Sequence, residues 1–295
     1  MTSQDRYIPG VPCWIDTAQP DPDAAIAFYH DLFGWEFEDV MPPGAPGRYA
    51  MARLPGGDVG AVTSAAEGVT EPAAWNTYIW VTDADETAQR VRAAGGTVLT
   101  EPEDAGDAGR MAVFADTEGA AFSVWEAKRH RGAAVVNEHG SLNFNDLTTR
   151  DPEAAAAFYG AVFGWEPLPI GAGTMWARPG YGDFLESRTP GMRAGMKEMG
   201  APERFEDVVA SLIVVTDDQP EATPHWSVTF AVNDADTIAA RATELGGTVV
   251  SPPMDAPWTR MAVIADPHGA TFTASAFKPE NKDLQPAGDA AQLSG

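Results

Sequence analysis

Asp21-Pro22-Asp23-Ala24-Ala25-Ile26-Ala27-Phe28-Tyr29-His30-Asp31-Leu32-Phe33-Gly34-Trp35-Glu36 occurs again 130 positions later, as Asp151-Pro152-Glu153-Ala154-Ala155-Ala156-Ala157-Phe158-Tyr159-Gly160-Ala161-Val162-Phe163-Gly164-Trp165-Glu166, with eleven of the sixteen residues unchanged. Asp is a preferred helix N-cap, and Pro suits the first helical position because its missing N–H has no partner there. Ile26, Tyr29 and Phe33 fall on one helical face, and Gly34 stands where a left-handed C-terminal cap belongs. A second phrase, Arg110-Met111-Ala112-Val113 with Ala115-Asp116, Gly119-Ala120 and Phe122, returns as Arg260-Met261-Ala262-Val263 with Ala265-Asp266, Gly269-Ala270 and Phe272. Two matches in the same order mean a duplicated domain.

Each copy divides again. Around the first helix, strands are expected at Cys13–Thr17, Trp35–Asp39, Tyr49–Leu54 and Val59–Thr63, separated by Gly/Pro turns. Trp75–Val81 then reads as a strand, Asp83–Ala94 as an Ala-rich helix stopped by Gly95-Gly96, and Thr97–Thr100, Met111–Ala115 and Ala121–Trp125 as strands. The order strand-helix-strand-strand-strand is therefore expected four times, an α+β fold of four βαβββ modules. Boundaries are set at 8–127 and 140–277 for the two domains, with a linker at 128–139 and a disordered tail at 278–295. Between Arg188 and Trp226 the second copy is longer than the first. Its apolar run Val208–Val215 reads as an additional strand that covers a pocket, pairs with an edge or meets another subunit; the role of 189–222 stays open.

Length and composition suit two domains that each bury a core: 295 residues, 44% hydrophobic and 21% charged. The net charge of -24, from 43 acidic and 19 basic residues, repels phosphate backbones and excludes nucleic acid as an expected partner. It favours a cationic small molecule, or serves solubility alone. No run approaches the ~20 apolar residues of a membrane span, and Met1-Thr2-Ser3-Gln4-Asp5 does not read as a signal peptide. One cysteine, Cys13, excludes an internal disulfide and a cysteine-based zinc site. A cytoplasmic location is expected. The basic cluster Lys128-Arg129-His130-Arg131 reads as a solvated connector.

The repeated Asp…Phe-Tyr…Phe-Gly-Trp phrase and the Asp-x-x-Gly-Ala-x-Phe turns at Asp116 and Asp266 resemble the glyoxalase/bleomycin-resistance/extradiol-dioxygenase group, the vicinal-oxygen-chelate superfamily. The resemblance implies paired modules that curve each mixed sheet into a cup holding substrate, drug or metal. It extends to two-domain glyoxalase-like proteins beside antibiotic pathways, including anthracycline-type ones, that bind the product or assist an oxygenase.

Metal-dependent members imply a His, Gln or Glu on the first strand of each module and a Glu on the strand after the Asp-x-x-Gly turn. Here the first-strand positions read Trp14 and Phe144, the fifth-strand positions Asn76 and Ser227, and the last-strand positions Ser123 and Thr273. None is a strong ligand for a divalent ion. Of the histidines, His225 comes nearest a ligand register, one residue before Trp226, where alternation is expected to turn it away. No metal and no cofactor are expected.

Alternation assigns the side chains of the cups. Trp14 with Asp16, Asn76 with Tyr78 and Trp80, and Ser123 with Trp125 share faces in the first copy; Phe144 with Asp146 does so in the second. Met51, Met111, Trp176 and Met261 are expected walls. Such a set suits a flat conjugated ligand, with Asp16 or Asp146 pairing with an amine or capping a turn. Arg110 and Arg260 are expected to brace each cup through an ion pair. The expected function is metal-free binding of a hydrophobic aromatic metabolite or anthracycline-like antibiotic, for resistance, carriage or assistance to a biosynthetic hydroxylase. The alternatives are a metal-independent isomerase or cyclase with Asp16 or Asp146 as general base, and a metal-dependent glyoxalase or dioxygenase. The sequence leans away from an enzyme without deciding it. A monomer or homodimer, with transient contact to an oxygenase, completes the expectation.

Overall fold

The computed structural model describes residues 6–66, 68, 72–171, 173–216, 219 and 221–284. The first repeat supplies β1 (Pro12–Gln19), α1 (Pro22–Phe33), β2 (Glu36–Asp39), β3 (Tyr49–Leu54), β4 (Gly57–Ser64), β5 (Ala74–Val81), α2 (Ala84–Ala93), β6 (Thr97–Asp104), β7 (Gly109–Ala115) and β8 (Ala121–Ala127). The second supplies β9 (Ser141–Thr149), α3 (Pro152–Phe163), β10 (Glu166–Ile170), β11 (Gly173–Ala177), α4 (Tyr181–Arg188), α5 (Met192–Met199), β12 (Val208–Val214), β13 (His225–Ala231), α6 (Ala235–Glu244), β14 (Thr248–Ala256), β15 (Thr259–Ala265) and β16 (Thr271–Phe277).

The strands form two eight-stranded mixed sheets with the same plan, β2-β3-β4-β1-β5-β8-β7-β6 and β10-β11-β12-β9-β13-β16-β15-β14. The α+β fold of two glyoxalase-like domains read from the sequence is the fold observed. Asp21 and Asp151 cap α1 and α3 by accepting from the amides of Ala24 and Ala154, and Gly34 (φ 73°) and Gly164 (φ 70°) end them in the left-handed region.

The run at Val208–Val215 is not an additional strand. As β12 it pairs antiparallel with β11 and parallel with β9, the place that β4 holds in the first sheet. The added piece is helical instead: α4, α5 and a 3-10 turn at Phe205–Asp207, inserted before β12. Part of the expected tail, up to residue 284, is ordered, with a 3-10 turn at Pro279–Asn281 whose Asn281 amide donates to Asp255 and to the Thr259 carbonyl. Residues 285–295 lie outside the described residues. No helix among the described residues is long and apolar enough to cross a membrane.

Compactness follows a different division from the sheets. One unit gathers Trp14–Thr77, Gly132–Phe144 and Ser227–Gly295; the other gathers Met1–Cys13, Tyr78–Arg131 and Asn145–Trp226. Each unit thus joins a module of one repeat to a module of the other.

In the first of these units, Tyr29 on α1 stacks on Trp35 (5.3 Å between centroids) and meets Trp75 edge-on (5.3 Å). Its hydroxyl donates to Asp266 Oδ2 at 3.0 Å and accepts from Trp75 Nε1 at 3.2 Å. Gln19 donates to the same carboxylate oxygen at 2.8 Å, while Oδ1 accepts the amides of His268 and Ala270, both at 2.9 Å.

The other unit repeats the construction. Tyr159 stacks on Trp165, donates to Asp116 Oδ2 at 3.0 Å and accepts from Trp226 Nε1 at 2.9 Å. Burial, and secondarily the neighbouring aspartate, holds both tyrosine hydroxyls far above their ordinary pKa, so they remain donors. The Asp of the Asp-x-x-Gly turn and the Tyr of the helix phrase are therefore one buried device, built twice.

Candidate functional site

Ile15, Ala52, Val59, Val62 and Trp75 pack with α1 in the core, so alternation places Trp14, Asp16, Met51, Ala61 and Asn76 on the other face of the first sheet. Register confirms the row, since Met51 pairs with Ala61 and Ala61 with Asp16. A hydrogen-bonded chain links this set. Trp14 Nε1 donates to the Tyr49 hydroxyl (3.0 Å), Tyr49 donates to Asp16 Oδ2 (3.1 Å), and Asn76 Nδ2 donates to Asp16 Oδ1 (2.8 Å).

Asp16 is 2% exposed and accepts a hydrogen bond on each oxygen. That geometry ties β1 to β3 and β5 through the carboxylate. Burial, then the Asp16 charge, pushes the Tyr49 hydroxyl well above its ordinary pKa. Sequence reasoning missed Tyr49, although it shares strand parity with Met51 on β3.

In the other unit, Tyr78 pairs with Ser123, Trp80 with Trp125, and Met111 with Trp125. Phe114 and Phe122 on the same strands pack toward the α3 aromatics, which leaves Tyr78, Trp80, Met111, Ser123 and Trp125 together on the opposite face. Their rings are already covered: Tyr78 is 7%, Trp80 5% and Trp125 7% exposed. Trp80 lies 6.0 Å from Tyr7, Tyr78 meets Trp125 edge-on at 6.5 Å, and Trp125 Nε1 donates to the His130 carbonyl at 2.9 Å. A Cβ at Gly109 would come within 2.4 Å of the Trp125 ring, so the glycine exists to let the indole lie over β7.

The second repeat places its residues differently. Asp146 accepts from Ser211 Oγ, and the row runs Met175, Ser211, Asp146. Trp176 is not a wall of this face. It is fully buried on the helix side, 5.7 Å from Tyr159 and 5.9 Å from Trp165, and Met175 holds the place that Met51 has in the first repeat. A one-residue error in strand parity reverses the face.

His225 needs the same correction. As first residue of β13 it has the parity of Ser227, not the opposite one, and its Nδ1–H donates to the Thr223 carbonyl at 2.7 Å. Phe144 is half-buried on β9, and Met261 is half-buried beside Ser275 and opposite Met254. Arg110 pairs with Asp85 (2.7 Å) and Arg260 with Asp236 (2.6 Å), each joining a strand to the first turn of the preceding helix.

The superfamily's metal-dependent members make a divalent ion the first group to test here. Trp14 and Asn76, at the ligand positions, supply neither imidazole nor carboxylate, and both donate hydrogen bonds within the face, to Tyr49 and Asp16. Ser123, Phe144, Ser227 and Thr273 add no imidazole or carboxylate. Among the described residues no three His, Cys, Asp or Glu side chains gather as a metal site would require. The donor set does not fit a divalent ion.

The family model of the Glyoxalase/Bleomycin resistance protein/Dioxygenase superfamily matches residues 14–124 and again 141–273. The chain is 39% identical over 284 residues to "Putative glyoxylase CFP32" of Mycobacterium tuberculosis, covering 95% of this chain and 98% of that one. It is 37% identical over 287 residues to "Anthracycline biosynthesis protein DnrV" of Streptomyces peucetius, covering 91% and 94%. Among solved structures, the Mn(II)-bound glyoxalase from Novosphingobium aromaticivorans shares the fold with a TM-score of 0.57 and 16% identity, over 91% of this chain and 83% of that one. With both repeats matched and relatives of this similarity along nearly its whole length, the chain belongs to the Glyoxalase/Bleomycin resistance protein/Dioxygenase superfamily.

Proposed function

We propose that this protein binds a planar aromatic small molecule without a coordinated metal, as a resistance, carrier or pathway-accessory protein. One observation carries the reading: the six positions where the family's metal-dependent members keep ligands hold Trp14, Asn76, Ser123, Phe144, Ser227 and Thr273. Affinity then comes from ring contacts and a few polar groups, as in most small-molecule sites. Relatives named as anthracycline biosynthesis proteins support a fused-ring ligand of that kind, and the charge of -24 supports one bearing an amine.

Calorimetric titration with amine-bearing polycyclic aromatics tests it, with micromolar or tighter binding expected. Absence of binding across a broad panel would overturn the reading. So would stoichiometric iron, zinc, nickel or manganese in the purified protein.

A further inference from the structure

Strands β14 and β15 are joined by two residues, Pro257 and Trp258, since Ala256 pairs with Thr259. Trp258 has φ 66°, in the left-handed region that glycine ordinarily fills and a bulky side chain rarely enters. The backbone is held there by the Lys278 amide, which donates to the Trp258 carbonyl at 2.7 Å. The consequence is an indole parallel to the Phe277 ring, with an interplanar angle of 8° and centroids 6.1 Å apart. Phe277 is 59% exposed.

Phe277 has the strand parity of Thr273 and Ser275, and it pairs with Thr259 as Ser275 pairs with Met261. Thr229 and Ala231 stand beside Thr273 and Ser275 in register. Phe230, Phe272 and Ala274 face the core, so the first set is the face away from the helices. In the first repeat the corresponding positions carry Tyr78, Trp80, Ser123 and Trp125, three of them large covered rings. Here the same row is Thr229, Ala231, Thr273 and Ser275, small side chains of which Thr229 and Ser275 are buried and Ala231 and Thr273 half-buried, flanked by Met254 and Met261 and ending at the half-buried Trp258 and the exposed Phe277.

We propose that Trp258 and Phe277 form a stacking platform for one ring of a planar polycyclic ligand. The remaining rings extend over the half-buried Ala231 and Thr273, where the Thr273 hydroxyl meets a phenolic or quinone oxygen. The proposal rests on the binding function above and assigns it to this face of the second repeat. Three features argue for a ring rather than another occupant. The two rings are parallel, so a third planar ring can continue the stack; the turn holds an indole at a glycine conformation; and the row beside it has lost the rings that fill its counterpart.

The test is titration of the full-length protein with a tetracyclic hydroxyanthraquinone, with and without an amino sugar, followed by the quinone's own fluorescence. Trp258→Gly suits the turn and removes the indole; Phe277→Ser removes the second ring. Each is expected to weaken binding at least tenfold with circular dichroism and urea midpoint retained. Ser275→Trp combined with Thr259→Gly, which installs the first repeat's arrangement, is expected to abolish binding. Unchanged affinity in Trp258→Gly overturns the platform and leaves the binding function standing. A native protein that binds neither compound overturns the platform, while the binding function falls only if the broad panel of aromatics fails as well. If Trp258→Gly instead converts a dimer to a monomer in sedimentation with affinity intact, the pair is a contact between copies and the proposal fails.

Discussion

The two faces of each sheet have diverged to very different extents between the repeats. On the helix side, Tyr29, Trp35, Trp75 and Asp266 in one unit match Tyr159, Trp165, Trp226 and Asp116 in the other, bond for bond. On the opposite face, Tyr78, Trp80, Trp125 and Gly109 stand against Thr229, Ala231, Ser275 and Thr259. The physics explains the contrast. A buried carboxylate that receives a tyrosine, two amides and, for Asp266, a glutamine cannot lose its role without leaving those donors unsatisfied. The other face carries few such obligations, and there the ring inventory changed.

The largest effect is expected on the shared side. Asp266→Ala and Asp116→Ala each strand a tyrosine hydroxyl and two amides, and each should lower unfolding free energy by about 3 kcal/mol or more. Urea titration measures this. A loss near zero for either would mean the two devices are not equivalent, and the comparison would lose its fixed half.

Next comes the divergent side. Gly109→Ala drives a methyl into Trp125 and the Glu126 carbonyl, an overpacking that should cost about 1–3 kcal/mol. Its counterpart Thr259→Ala has no such ring above it and should stay within about 0.5 kcal/mol. Equal costs would show that Trp125 does not fill its face. Smaller again, Tyr49→Phe leaves the Trp14 indole N–H and an Asp16 oxygen without that partner, for about 1–2 kcal/mol.

How far the sequence spoke depended on the kind of signal. The helices at Pro22–Phe33 and Pro152–Phe163 announced themselves through Asp caps, Pro and terminal Gly. α4 and α5 did not, because each starts at a glycine with no side-chain cap and spans eight residues. Without them, β12 read as surplus. Trp176 was misplaced because β11 is only five residues long and its register against β12 shifts at Trp176/Ala177. Tyr49 lay behind a loop of Pro and Gly. The aromatic count identified Trp80 and Trp125, yet composition cannot tell a covered ring from an open one. That distinction decides which repeat offers a ring to a ligand.

The mildest comparison concerns the short segments that lead into β1 and β9. Gly10 and Gly140 play one part, donating to the carbonyls of Trp80 and Ala231 at 2.9 and 2.8 Å, but the residue before them is Pro9 in one case and His139 in the other. His139 Nδ1 accepts the Asn233 amide at 3.2 Å, and its ring meets Phe33 edge-on. Burial lowers its pKa below the ordinary 6.5. The unfolded chain then binds this proton more readily than the folded one. The contribution to stability is full above about pH 6.5 and is lost as pH falls below that value. Protonation also turns the accepting nitrogen into a donor facing an N–H. His139→Gln should therefore flatten the pH dependence of the urea midpoint between about pH 7 and 5.5. If native and variant curves run parallel through that window, the histidine titrates alike in the folded and unfolded states, and the two lead-in segments differ in sequence but not in electrostatics.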